Sequence, residues 1–150
     1  MASTSLFWAN RQRAIKLDLV FLCSLVEKAL PLCLEKPRWV KSFLPTDIEV
    51  TLLSDHSIAK IHNDFLEDPT PTDVITFRHS QKLGEILVGV PTAARNAKHF
   101  GHSVNHEVAL CVVHGLLHLL DYDDTTESER QRMHKRQEEI LCCVTTNVAV

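Results

Sequence analysis

The chain has 150 residues, 45% of them hydrophobic, with a formal net charge of −3, which gives one globular domain over 1–150 and excludes a generally basic nucleic-acid binder, though not a local basic groove. No membrane span is expected, because the longest uncharged apolar stretch near the start, Leu19 to Val26, falls far short of about 20 residues, and no signal-peptide pattern opens the chain. Five cysteines without a Cys-x-x-Cys pair form neither a disulfide framework nor a zinc knuckle; Cys23 and Cys111 read as core side chains, and a reducing, cytoplasmic compartment is the simplest reading.

Leu6 to Asn10 reads as a first strand. Leu17 to Leu30 is apolar on more than one face, a buried helix ending before Pro31. Asp47 to Leu53 alternates acidic with branched residues, a strand with one side open to solvent. Ser54-Asp55-His56-Ser57 supplies N-cap chemistry for a helix through Ile58, Ile61 and Phe65, which Asp68-Pro69-Thr70-Pro71-Thr72 breaks. Val74 to Phe77 and Glu85 to Val90 are two more strands. Pro91 opens a helix from Thr92 to Phe100, and Gly101 stops it. Asn105 to Leu120 is a largely apolar and therefore central helix. Thr126-Glu127-Ser128-Glu129 resembles a capping box for a last helix to about Cys143. About four strands interleaved with about five helices indicate a single α/β or α+β domain with a mixed sheet.

The chemistry concentrates in the central helix. His114 and His118, four residues apart, project from one side of a helical turn, so two imidazoles can grip one cation. Apolar neighbours on every side make two unpaired imidazoles costly to bury, which favours a ligand for them. Were the helix to continue, Asp124 would lie about 600° of rotation and roughly 9 Å beyond His118, on the wrong face. The helix must therefore end near Leu120 and the chain fold back. The polar run from Asp121 to Thr126 suits that turn, with Asp124 as third ligand and Asp123 as its rival. Two imidazoles and a carboxylate suit zinc, and equally hold iron or manganese. Gly115 permits close approach of a backbone or a substrate, or helix packing. A zincin protease carries a glutamate directly after the first histidine; Gly115 stands there, which argues against a protease. His106, roughly 12 Å along the axis from His114, is too far to share the ion and reads as a surface histidine.

The run His114 to Asp123, as His-Gly-x-Leu-His-Leu-x-x-Tyr-Asp, resembles the signature of the YbeY family of bacterial rRNA maturation factors. Pro71 to Phe77 is similar to that family's Pro-Thr-Asp-Val-Leu-Ser-Phe segment, and Gly84-Glu85-Ile86 to its Gly-Asp-Ile strand. Ala9-Asn10, Ile61-His62-Asn63, Met133, Glu138 and Glu139 fall in family-like order. The resemblance implies a metal, zinc, at the mouth of a groove, and single-strand RNA cleavage in maturing the 3′ end of small-subunit (16S) rRNA and in ribosome quality control. It also implies the small ribosomal subunit, a ribosomal protein and an assembly GTPase as partners.

Two departures stand out. The family's third ligand is a histidine, and the matching position is Asp124. A carboxylate there lowers the site's net charge from about +2 to about +1, tightening ion retention while weakening Lewis acidity. The family arginine five residues before the Pro-Thr segment corresponds to Leu66, which cannot bind phosphate. Arg78, Arg95 and Lys98 are candidates to meet RNA in its place, each also explicable as a solvated side chain. Arg130, Arg132, Lys135 and Arg136, offset by neighbouring glutamates, read as a solvated helix face. The loss at Leu66 leaves a second reading open, a non-catalytic RNA-binding assembly factor with a structural metal.

Overall fold

Apolar residues recurring on one face of each strand build the sheet. Strands β1 (Ser5–Asn10), β2 (Asp47–Leu53), β3 (Val74–Arg78) and β4 (Leu83–Gly89) lie in the order β1-β2-β4-β3 in the computed structural model, which describes residues 3–148. β1, β2 and β4 run parallel and β3 antiparallel to β4, so the domain is α+β with the expected mixed sheet. Five helices complete it: α1 (Leu19–Leu34), α2 (Asp55–Leu66), α3 (Val90–Phe100), α4 (Val104–Leu119) and α5 (Glu127–Val148). Alternation sends Ile48, Val50, Leu52, Ile86 and Val88 into a main core shared with α1, α3, α4 and α5. Leu87 and Ile75 face the other way and meet Ile58 of α2.

Side-chain caps start the helices where polar residues precede apolar runs. Ser54 and Ser103 accept the amides of Ser57 and His106. Thr126 and Glu129 exchange bonds at 3.2 Å each way, the reciprocal capping box expected for α5. That helix continues beyond Cys143 to Val148. Pro91 sits in the first turn of α3, which begins two residues earlier than expected, at Val90.

Pro31 does not end α1. The helix passes through it to Leu34, although proline forfeits one ladder bond. Burial of Cys33 rewards the extra turn, and Arg136 donates to the Leu32 and Glu35 carbonyls at 2.8 and 3.2 Å. The basic run of α5 is thus more than a solvated face: Arg136 secures the end of α1, and Arg132 lies over the Trp39 ring. Cys23 is only half-buried, whereas Cys33 and Cys111 are core side chains, and burial pushes the Cys33 thiol up to about 12. Among the described residues no helix is long and apolar enough to cross a membrane.

Helix α4 is the axis of the domain, in contact with α1, α3, α5, β3 and β4. It is apolar all round because it is covered all round; residues 108–113, Leu116 and Leu117 are all buried. Gly115 resolves as a packing glycine. A Cβ there would stand 2.8 Å from Ile86 Cγ2, so its absence lets α4 settle on β4. Gly115→Ala is expected to cost about 1–3 kcal/mol of stability in denaturant unfolding. Trimming Ile86 to Val in the same chain should recover part of the loss, whereas an undiminished loss would mean the glycine acts otherwise.

Candidate metal centre

The turn after His118 decides the geometry of the site. Leu120 caps α4, and Asp121 takes up a left-handed conformation with φ of 66°. The Tyr122 amide donates to the Leu117 carbonyl at 3.0 Å and the Asp121 amide to the His118 carbonyl at 2.9 Å. This is a Schellman closure with aspartate where glycine is usual; aspartate tolerates the left-handed region better than most residues. The Ser42 hydroxyl donates to the Asp121 carboxylate. Tyr122 is then buried, its ring edge-on to Trp39 at 5.1 Å. The chain leaves the turn travelling back toward α4, as the spacing argument requires.

That reversal delivers Asp124. Its Oδ2 lies 3.3 Å from His118 Nε2 and 4.0 Å from His114 Nε2. The three ligand atoms lie within 4.8 Å of one another, a group that could hold a metal ion. Ligands about 2.0–2.2 Å from a tetrahedral ion stand about 3.3–3.5 Å apart, so closing on an ion asks only for small side-chain adjustments. Asp123 is turned elsewhere: its Oδ1 accepts the Asp124 amide at 2.9 Å and supports the turn from outside the group.

Both imidazoles are oriented through their other nitrogen. His118 Nδ1 donates to the Tyr122 carbonyl at 3.2 Å, and His114 Nδ1 to Gln137 Oε1 at 2.7 Å. With the protons on Nδ1, both Nε2 lone pairs face Asp124. Burial holds the His114 imidazole below its ordinary value, against the opposing Gln137 bond, with the His118 ring adding to the depression. The neutral form that burial favours is the form that binds metal.

Two cavities flank the group. One, of about 470 Å³, lies between α3, α4 and α5, and the other, of about 530 Å³, between α2, β3 and the end of α4. Asp73, Val74, His114 and Asp124 line both, so a groove passes over the ligand atoms. Leu66 forms part of the second wall, 63% exposed. Arg78 also lines it, but its guanidinium donates to the Phe43 carbonyl at 2.7 Å and to the Leu119 carbonyl, pinning the end of α4. Arg95 pairs with Asp55 at 3.0 Å, and Lys98 is exposed on α3. His106 is half-buried against His102, with ring centroids 4.6 Å apart, rather than a surface histidine.

Gln137 and the Tyr122 carbonyl escape sequence reasoning. The one available signal is a polar residue inside the apolar stripe Met133, Ile140, Leu141, Val144 of the last helix, all of whose members are buried.

A family model described as Endoribonuclease YbeY matches residues 7–144. The Endoribonuclease YbeY of Bacillus cereus (strain G9842) is 34% identical over 110 residues, covering 63% of this chain and 70% of its own. That of Moorella thermoacetica is 36% identical over 113 residues, covering 65% and 72%. The solution structure of a Thermotoga maritima protein aligns with a TM-score of 0.65 over 95% of this chain and 91% of its own, at 23% identity, and shows a shared fold.

Gln137→Leu removes the acceptor that orients His114 and should weaken divalent-ion affinity about 10- to 100-fold, measured by chelator competition. Unchanged affinity would show that packing alone aims the ring.

Proposed function

Because the chain belongs to the YbeY family of endoribonucleases, we propose that it is a metal-dependent, single-strand-specific endoribonuclease. Its proposed task is maturation of the 3′ end of 16S rRNA and ribosome quality control, in the cytoplasm. The observation that carries this reading is the convergence of His114 Nε2, His118 Nε2 and Asp124 Oδ2 in a groove open on both sides. A divalent ion held there, proposed as zinc with iron and manganese as rivals, supplies Lewis acidity toward a phosphoryl oxygen and toward water.

The chain's own residues set the conditions for that chemistry. Gln137 and the Tyr122 carbonyl hold both rings in one orientation, so little reorganisation is needed when substrate arrives. The acidic wall of Asp73 and Asp124 repels a phosphodiester unless a cation offsets it, which couples RNA binding to ion binding. An unpaired strand can lie with its backbone across the ligand group and its bases to either side. Arg78, from the wall of the second cavity, and Arg95 and Lys98, from α3, are proposed to meet phosphates. The proposed partners are rRNA in the small ribosomal subunit, a ribosomal protein and an assembly GTPase.

Leu66 supports a second reading. An exposed apolar side chain lines the groove beside His118 and Asp124, where a cation would assist phosphoryl chemistry. On that reading the protein is a non-catalytic assembly factor whose metal pins the helix end to the turn. Purified protein and a His114→Ala variant, each with and without chelator, should be given a single-stranded rRNA fragment. Cleavage by the metal-loaded parent alone is the expected result. Cleavage that survives both treatments would sink the metallonuclease reading, and none at full metal occupancy would favour the assembly factor.

A further inference from the structure

Helix α3 ends on Phe100, and Gly101, with φ of 77°, turns the chain at once toward α4. The turn leaves Phe100 63% exposed on the cavity of about 470 Å³ whose lining also includes His114 and Asp124. A single exposed phenylalanine is ordinary. This one belongs to a row of flat rings: His102 lies 6.1 Å from Phe100 with planes tilted by 33°, and His106 lies 4.6 Å from His102.

Glu107 lines the same cavity. Its side chain is nine-tenths buried, and its Oε2 has no hydrogen-bond partner. His102 Nε2 stands 3.6 Å off, close enough for attraction but beyond a hydrogen bond. Burial pushes the Glu107 carboxyl above its ordinary value, with His102 opposing. A position in the first turn of α4 offsets part of the charge's cost but supplies no donor to this oxygen. A buried acceptor left unmatched beside a cavity calls for a donor from whatever enters.

The chemistry narrows what that is. Phosphate is a poor occupant, because the lining sets the carboxylates of Asp73, Glu107, Asp124 and Glu127 against the single guanidinium of Arg130. A planar group with an N–H donor on its edge suits both an aromatic face and an unmatched carboxylate. The volume falls within the range of about 300–1,000 Å³ typical of small-ligand sites, and the cavity shares His114 and Asp124 with the groove. We propose that this cavity is a nucleobase subsite, in which an unpaired base stacks on Phe100 and donates its exocyclic amine to Glu107 Oε2. Asn96, also in the lining, offers an amide to the rest of the base edge. Uracil's one edge donor, N3–H, lies between two carbonyl oxygens that a carboxylate repels, so the subsite favours the exocyclic amine of cytosine, adenine or guanine over it. The inference rests on the single-strand RNA reading above and adds to it a preference among bases.

Fluorescence anisotropy with 2′-O-methylated hexamers of cytidine and of uridine tests it, since the two pyrimidines differ at the amine. The metal-loaded protein should bind the cytidine hexamer on the order of 10-fold tighter. Phe100→Ala, at an exposed position, should weaken both on the order of 10-fold, and Phe100→Tyr should restore them. Glu107→Gln should keep binding while bringing the two hexamers close to parity. Should that variant fail to fold, the parent's preference and the Phe100 pair still decide. Equal binding of both hexamers by the parent, or unchanged affinity in Phe100→Ala, overturns the subsite and leaves RNA binding standing. Failure to bind either hexamer overturns both the subsite and the RNA reading.

Discussion

The carbonyls of Leu117 and His118 accept the amides of Tyr122 and Asp121, and this pair of bonds terminates α4 one residue after its second histidine. Without it a continuing helix would carry Asp124 to the opposite face, about 9 Å further on. With it the chain doubles back and brings a carboxylate to within 3.3 Å of His118 Nε2. The left-handed residue is an aspartate, which tolerates that conformation at less cost than most. Its carboxylate is also tied to the Ser42 hydroxyl. Arg78 adds a cation at the Leu119 carbonyl, at the negative end of the helix dipole. Side chains from three separate stretches of the chain thus hold one helix end still.

Rigidity at that end matters because metal ligands need direction as well as proximity. Each ring has its Nδ1 engaged by an acceptor from a different source, a backbone carbonyl of the turn and a side-chain amide of α5. The docking of α5 is therefore part of the site. So is the arrangement that secures it, in which Arg136 joins α5 to the last carbonyls of α1. Gly115 contributes at one remove by letting α4 press against Ile86 of the sheet. The two histidines inherit their positions from the most deeply packed helix of the domain.

Much of this was legible in the sequence because it is local. A spacing of four, an apolar surround and a polar run beyond Leu120 were enough to require the helix end and the return of a carboxylate. The capping box Thr126–Glu129 and the caps at Ser54 and Ser103 follow from residue type and order. What stayed hidden depends on distant parts of the chain. Pro31 reads as a stop until Arg136, 105 positions on by the numbering, is seen to satisfy the carbonyls beyond it. Gln137 shows only as a polar residue within an apolar stripe, and its contact with His114, 23 positions away, is a product of the tertiary fold. Arg78 reads equally as a cation for phosphate or as a solvated side chain, and only the tertiary structure reveals that two carbonyls engage it.

A diffraction experiment at the zinc absorption edge on crystals of the zinc-loaded protein tests the central claim most directly. A single anomalous peak about 2.0–2.2 Å from His114 Nε2, His118 Nε2 and a carboxylate oxygen of Asp124 is predicted. A peak that engages Asp123 instead, or one that lies away from the two histidines, would contradict it.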